Sequence, residues 1–232
     1  MKFIVGNWKM NGNMDDKETF LKALKNVRTN NKVIMCLPFT LLYGKDYGVT
    51  LGAQNISEHS NGAYTGDISG QMLSDANVKY VIVGHSERRK NHNETNETTR
   101  AKATAAIKNG LIPIICIGET AADRNAGRTM SVVKKMLLES VPPRGEYMVA
   151  YEPRWAIGTD KTPTVEEITA VIETVHKALN GIGRKDIALL YGGSVTKDNA
   201  KQMVSVPHVD GLLIGGASLK SETFLPIIKS ID

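Results

Sequence analysis

The sequence predicts an α/β fold in which strands and helices alternate through a single domain, residues 1–232. Three observations predict it. Short runs of β-branched and aliphatic residues recur eight times. Most of these runs are continuously apolar, the pattern of strands covered on both faces and so of a parallel sheet. Helical patterns lie between them, and no Pro/Gly/Ser-rich linker divides the chain. Eight such units match a closed (β/α)8 barrel; an open doubly wound sheet carries the same alternation. The first turn has no GxGxxG, which weakens a dinucleotide-binding version of the open sheet.

In chain order the expected strands are 3–5, 33–35, 49–53, 80–83, 112–117, 147–151, 187–191 and 212–214. A first helix is expected near Asp15, with Glu18 three residues on and Phe20, Leu24 and Val27 as its inward stripe. The second and third strands are too close for a full helix, so a turn near 41–45 replaces it. Further helical segments fit 94–108, 129–138, 196–204 and 219–229. The clearest helix is 164–179, where Val165, Ile168, Ile172, Val175 and Leu179 share one face. Thr164 with Glu167 offers it a capping box, and Asn180 with Gly181 is expected to stop it.

Composition narrows the function classes. Hydrophobic residues make up 41% and charged residues 23%, as in soluble globular chains, and no apolar run approaches the roughly 20 residues that cross a bilayer. The apolar stretch after Met1 is too brief for a secretory signal, so a cytoplasmic location is expected. Cys36 and Cys116 lie inside apolar runs without a CxxC neighbour and read as core residues. The formal charge of +5 is scattered among acidic residues, and the run Arg88, Arg89, Lys90 has no interleaved aromatics, which argues against nucleic acid as a partner. A mildly positive field suits a small anionic substrate.

In a barrel, catalytic groups come from the loops after the C-terminal strand ends. Asn7 and Lys9 follow the first strand; His85, Ser86 and Glu87 follow the fourth; Glu152 follows the sixth. Gly192 and Gly193 with Ser194 follow the seventh, and Gly215 with Gly216 follows the eighth. Bare backbone at such turns lets N–H groups approach an anion, which implies a phosphorylated ligand. A lone lysine reads as a solvated charge and a lone histidine as a structural residue. Their joint placement at one rim, with a carboxylate that has no structural task there, favours catalysis.

The segments GNWKMNG at 6–12, GAQN at 52–55, GHSERR at 84–89, CIGET at 116–120, AYEPRWAIGT at 150–159, YGGSV at 191–195 and LIGGASL at 213–219 resemble the triosephosphate isomerase family in order and spacing. The resemblance implies a TIM barrel that interconverts dihydroxyacetone phosphate and glyceraldehyde 3-phosphate with no cofactor and no metal. It also implies Glu152 as the base and His85 as a neutral electrophile at a helix N-terminus opened by Ser86 and Glu87. Lys9 and Asn7 are then the groups that stabilise charge on the enediolate, and Glu87 is a carboxylate supporting Lys9. Gly158, Ser194, Gly215 and Gly216 match the phosphate-gripping backbone, and residues 153–164 match a closing lid. Arg154 stands at a lid-hinge position where the family has an apolar residue, and Asp160 stands where it has glycine. The long loop from Asn55 to Asp67 matches a dimer loop, implying a homodimer in which it packs beside the partner's Asn7 and Lys9 region. Two other readings carry the same groups: a barrel enzyme acting on another small sugar phosphate, and an idle barrel kept as a scaffold. Intact Lys9, His85 and Glu152 argue against the scaffold.

Overall fold

Eight parallel strands pair in chain order and close on themselves. They are β1 (Phe3–Asn7), β2 (Lys32–Leu37), β3 (Thr50–Ala53), β4 (Tyr80–Val83), β5 (Ile112–Ile117), β6 (Met148–Tyr151), β7 (Ala188–Tyr191) and β8 (Gly211–Ile214), with β8 bonded back to β1. The closed order removes the doubly wound alternative, which keeps two sheet edges. The computed structural model describes residues 1–157, 159 and 161–232.

Strand periodicity sorts the side chains into two cores. Val5, Ile34, Cys36, Tyr80, Ile82, Ile114, Cys116, Met148, Ala150, Leu190 and Leu213 form the cluster that fills the barrel. Their alternate neighbours, among them Ile4, Met35, Val81, Ile115, Val149, Leu189 and Leu212, pack outward under the helices. Both faces are therefore apolar, which is why the strands read as continuous runs rather than alternating ones. Both cysteines are buried and free.

Helix α1 (Met14–Lys25) is capped by Asn13, whose side chain accepts from the Asp16 amide while Asp16 accepts from the Asn13 amide. This capping box lies two residues before the Asp15 and Glu18 pair expected from the sequence. Both pairs have the same spacing, and only the backbone turn at Asn13 distinguishes them. Phe20 and Leu24 are buried as expected, whereas Val27 lies beyond the helix. A 3-10 turn at Phe39–Leu41 stands in for a helix between β2 and β3, slightly ahead of the expected 41–45.

Then follow α2 (Gly70–Asp75), α3 (Ser86–Asn91), α4 (Asn96–Lys108), α5 (Ala121–Asn125) and α6 (Thr129–Ser140). The remaining helices are α7 (Val165–Gly181), α8 (Ala200–Ser205) and α9 (Ser221–Ile231). The capping box of Thr164 and Glu167 forms at the start of α7. The expected stop at Asn180 and Gly181 is corrected: both are helical, and the left-handed turn comes at Gly183 with φ 75°. Helix α8 starts later than 196 because Thr196 donates its amide to the Asn199 side chain in a turn. Helix α4 starts after Thr95, its cap, which leaves Glu94 free to pair with Arg88 and Lys102. The loop from Asn55 to Asp67 contains no helix or strand. Its ends are tied by the Ser57 amide to the Ile68 carbonyl at 2.8 Å and by the Ser57 hydroxyl to Asp67 at 2.6 Å.

Candidate active site

Period-2 alternation carries the interior core up to the barrel mouth. Asn7 stands two residues beyond Val5, Glu152 two beyond Ala150, Gly192 two beyond Leu190 and Gly215 two beyond Leu213. The same faces that pack the core therefore point polar groups and bare glycines into the mouth. There they line a cavity of about 440 Å³ with Lys9, His85, Ser194 and Gly216.

His85 reaches the cavity by a different device. Gly84, at the end of β4, has φ 65°, and a side chain there would press on Thr99 and Arg89. The left-handed residue turns the chain so that His85 becomes the N-cap of α3. Its Nδ1 accepts the Glu87 amide at 3.2 Å, and its Nε2 lies 2.9 Å from Glu152 Oε1. The other Glu152 oxygen accepts the Ser86 amide at 2.9 Å. Glu152 is 2% exposed and His85 6%, so the pair sits in a low dielectric where each contact counts strongly.

Each group favours the charged form of the other. Burial alone pushes the Glu152 carboxyl up, but His85 and the Ser86 amide outweigh it and leave its pKa below the ordinary value. Burial pushes the His85 imidazole down, and the Glu152 charge and hydrogen bond raise it above the ordinary value. Glu87 adds to that upward pull, and Lys9 opposes it. The Glu87 amide occupies the Nδ1 lone pair, which leaves Nε2 as the nitrogen that carries the ring proton into the cavity.

Lys9 has φ 52°, a left-handed conformation stabilised by the Asn7 side chain, which accepts the Lys9 amide at 3.0 Å. Its ammonium donates to Glu87 at 2.7 Å. A side chain at Gly215 would sit 3.2 Å from Lys9 Cε, so the missing Cβ leaves room for the lysine beside the glycine turn. Gly192 likewise lies against Glu152 Cγ, at 3.0 Å from where its Cβ would stand. Gly216 faces open space.

The structure thus brings Asn7, Lys9, His85, Glu152, Ser194, Gly215 and Gly216 to one cavity. Ser86 and Glu87 stand behind it, holding Glu152 and Lys9. Gly158 and Asp160 lie outside the described residues. Ile157, Thr159 and Leu219 also line the cavity; they lie within the segments 150–159 and 213–219, where no role was expected of them.

Sequence reasoning also missed Glu119, which is fully buried and accepts the Trp155 indole N–H at 2.7 Å and the Tyr151 hydroxyl at 3.2 Å. Burial raises its pKa above the ordinary value. Arg124 lies over the Trp155 ring at 3.9 Å and pairs with Glu167. Arg154 is half-buried, and its amide donates to the Glu119 carbonyl. The CIGET segment contains Glu119, but nothing in the sequence says that it faces Trp155.

Fold and site define a barrel enzyme equipped for proton transfer on a small anion: a buried carboxylate and an imidazole face each other beside an ammonium and two glycine turns. The model of the family described as triosephosphate isomerase matches residues 2–231. The triosephosphate isomerase of Hahella chejuensis is 43% identical over 99% of this chain and 98% of its own length. That of Mycoplasmopsis pulmonis is 42% identical over 97% and 96%. The crystal structure of the Bartonella henselae triosephosphate isomerase superposes with a TM-score of 0.87 at 37% identity, covering 99% of this chain and 98% of that one. The chain belongs to the triosephosphate isomerase family.

Proposed function

We propose that the protein interconverts dihydroxyacetone phosphate and D-glyceraldehyde 3-phosphate, a step of glycolysis and gluconeogenesis, by moving a proton between adjacent carbons through an enediolate. Family membership supports the reaction. The observation that carries the roles is the buried Glu152 carboxylate, 2.9 Å from His85 Nε2 at the mouth that also holds Lys9 and the glycine turns.

In this reading Glu152 leaves the Ser86 amide and His85, turns to the substrate and takes a proton from carbon. His85, relieved of the carboxylate, is neutral and donates from Nε2 to the substrate oxygen. Lys9, with Asn7 behind it, offsets the negative charge that grows on the enediolate. Ser194, Gly215 and Gly216, joined by Gly158, bind the phosphate. Their hold on a group remote from the reacting carbons stabilises the closed site. Closure of residues 153–164 over the cavity keeps water from the enediolate, which would otherwise expel phosphate.

A homodimer in the cytoplasm completes the proposal. Met10, Met14, Tyr43 and Tyr64 are exposed apolar side chains, Met10 at 96%, and apolar surface of this kind favours burial against a partner. Among the described residues no helix is long and apolar enough to cross a membrane.

The deciding experiment measures isomerisation of glyceraldehyde 3-phosphate by the purified protein and by Glu152→Gln in a coupled assay. Glutamine keeps the shape and cannot take the proton, so kcat falls by about 10²–10⁴-fold, the span of general-base catalysis. A folded parent without activity overturns the function, and an active Glu152→Gln overturns the assignment of the base.

A further inference from the structure

Arg89 follows the catalytic histidine by one turn of α3 and does not line the cavity. Its guanidinium nevertheless makes four hydrogen bonds to four separate parts of the fold. Nε donates to the Gly84 carbonyl at 2.8 Å and one terminal nitrogen to Asn96 Oδ1 at 2.8 Å. The other terminal nitrogen donates to the Cys116 carbonyl at 3.3 Å and to the Ser140 hydroxyl at 3.3 Å. Gly84 follows β4 directly and Cys116 is the last residue but one of the neighbouring β5; Asn96 opens α4, and Ser140 closes α6.

Two of these anchors adjoin the reacting groups. Gly84 is the left-handed residue that aims His85, and a Cβ there would stand 2.9 Å from the Arg89 guanidinium. Cys116 precedes Ile117, whose carbonyl accepts the Glu152 amide at 2.7 Å. One planar cation therefore ties the backbone in front of the imidazole to the strand on which the Glu152 backbone hangs. The planar fork of arginine suits such a task, since it addresses several carbonyls in fixed directions.

All four acceptors are neutral, and among the described residues no carboxylate lies within ion-pair distance of Arg89. Glu94, the acid nearby in sequence, is engaged by Arg88 and Lys102. Burial lowers the Arg89 pKa; Arg154 adds to that, and Cys116, Glu94 and Glu152 oppose it. Among the described residues the guanidinium is thus a positive charge without a carboxylate partner, within electrostatic reach of Glu152. The other groups that face Glu152 are His85, the Ser86 amide, Lys9 and the Cys116 thiol.

We infer that Arg89 is a positioning residue for the isomerisation, bracing the ends of β4 and β5 so that His85 and Glu152 keep their mutual geometry. Its charge also favours the carboxylate form of Glu152. The inference rests on Glu152 as base and His85 as electrophile.

The test compares the parent with Arg89→Met, Arg89→Lys and Asn96→Ala for kcat, KM and the pH dependence of kcat/KM on glyceraldehyde 3-phosphate. Parent activity checks the function separately: an inactive parent removes that reading, and with an active parent any failure belongs to Arg89 alone. Arg89→Met lowers kcat by roughly a hundredfold, as small misplacements of reacting groups do. KM changes little, because the phosphate turns lie elsewhere. The acid limb of the profile moves to higher pH as Glu152 loses a nearby cation. Arg89→Lys keeps the charge without the fork, so it restores the acid limb but not kcat. Asn96→Ala leaves Arg89 in place and removes one acceptor, which lowers kcat in the same direction and decides the matter if Arg89→Met does not fold. Parental kcat in Asn96→Ala and Arg89→Lys overturns the inference. So does an activity loss in Arg89→Met that only follows the loss of folded protein, with the acid limb unmoved.

Discussion

Glu152 and His85 depart from their ordinary titration in opposite directions, and that makes stability depend on pH in a definable window. Glu152 titrates below the ordinary 4.5, so its contribution is complete above that value and fades as pH falls through its own lower pKa. His85 titrates above the ordinary 6.5, so its contribution is complete below that value and fades as pH rises through its own higher pKa. Both are fully present between 4.5 and 6.5. Thermal midpoints of the parent and Glu152→Gln should therefore differ most in that interval and draw closer on either side, as Glu152 gains its proton below it and His85 loses its proton above it. A gap that stays constant with pH would show that the pair is not ionised in the folded protein. At this scale the sequence marked each group to which a catalytic or phosphate-binding role is proposed. It was silent on Glu119 and Arg89, because a buried carboxylate and a bracing guanidinium look like ordinary surface residues until their neighbours are known.

The helices show which local signals suffice. Thr164 and Glu167 satisfy each other's amides at the start of α7, at 3.2 and 2.9 Å. Thr164→Ala removes one half of this box, and the expected loss is about 1 kcal/mol, read as a lower denaturant midpoint at unchanged slope. Glu167 also pairs with Arg124, which covers the Trp155 ring, so the cap is joined to the start of the lid segment. If the midpoint does not move, Glu167 is held by Arg124 and not by the cap. Where two equivalent boxes were available, as at Asn13 and Asp15, sequence spacing picked the wrong one. The short helices α2 and α5, six and five residues long, carry too few turns for a periodic signal.

For the molecule as a whole, the open question with the largest consequence is association. The loop from Asn55 to Asp67 projects from the barrel with its own ends tied, and Tyr64 on it is stacked on His59 at 3.8 Å. Met10, Met14 and Tyr43 add exposed apolar surface, Met10 beside Lys9 in the chain. If the proposed homodimer forms through this loop, removing residues 63–66 yields a protein of half the parental mass in sedimentation equilibrium and reduces kcat, because the Asn7 and Lys9 region loses the partner surface proposed to pack on it. A parent that already sediments as a monomer, or a shortened protein that keeps the parental mass, removes the proposed interface.

The sequence by itself determined the alternation of strands and helices and the family, and it marked Asn7, Lys9, His85 and Glu152 as the candidate groups at the rim. These are written in local periodicity and in short segments whose residue types are chemically specific. Only the tertiary structure decided that the sheet closes, since β8 meets β1 across the whole length of the chain. Tertiary structure also decided that His85 and Glu152 hold each other, that Glu119 grips Trp155, and that Arg89 bridges the turn after β4, strand β5 and helices α4 and α6. Each of these joins residues far apart in sequence, and a contact of that kind leaves no local pattern to read; it exists only once packing has fixed which side chains share a space.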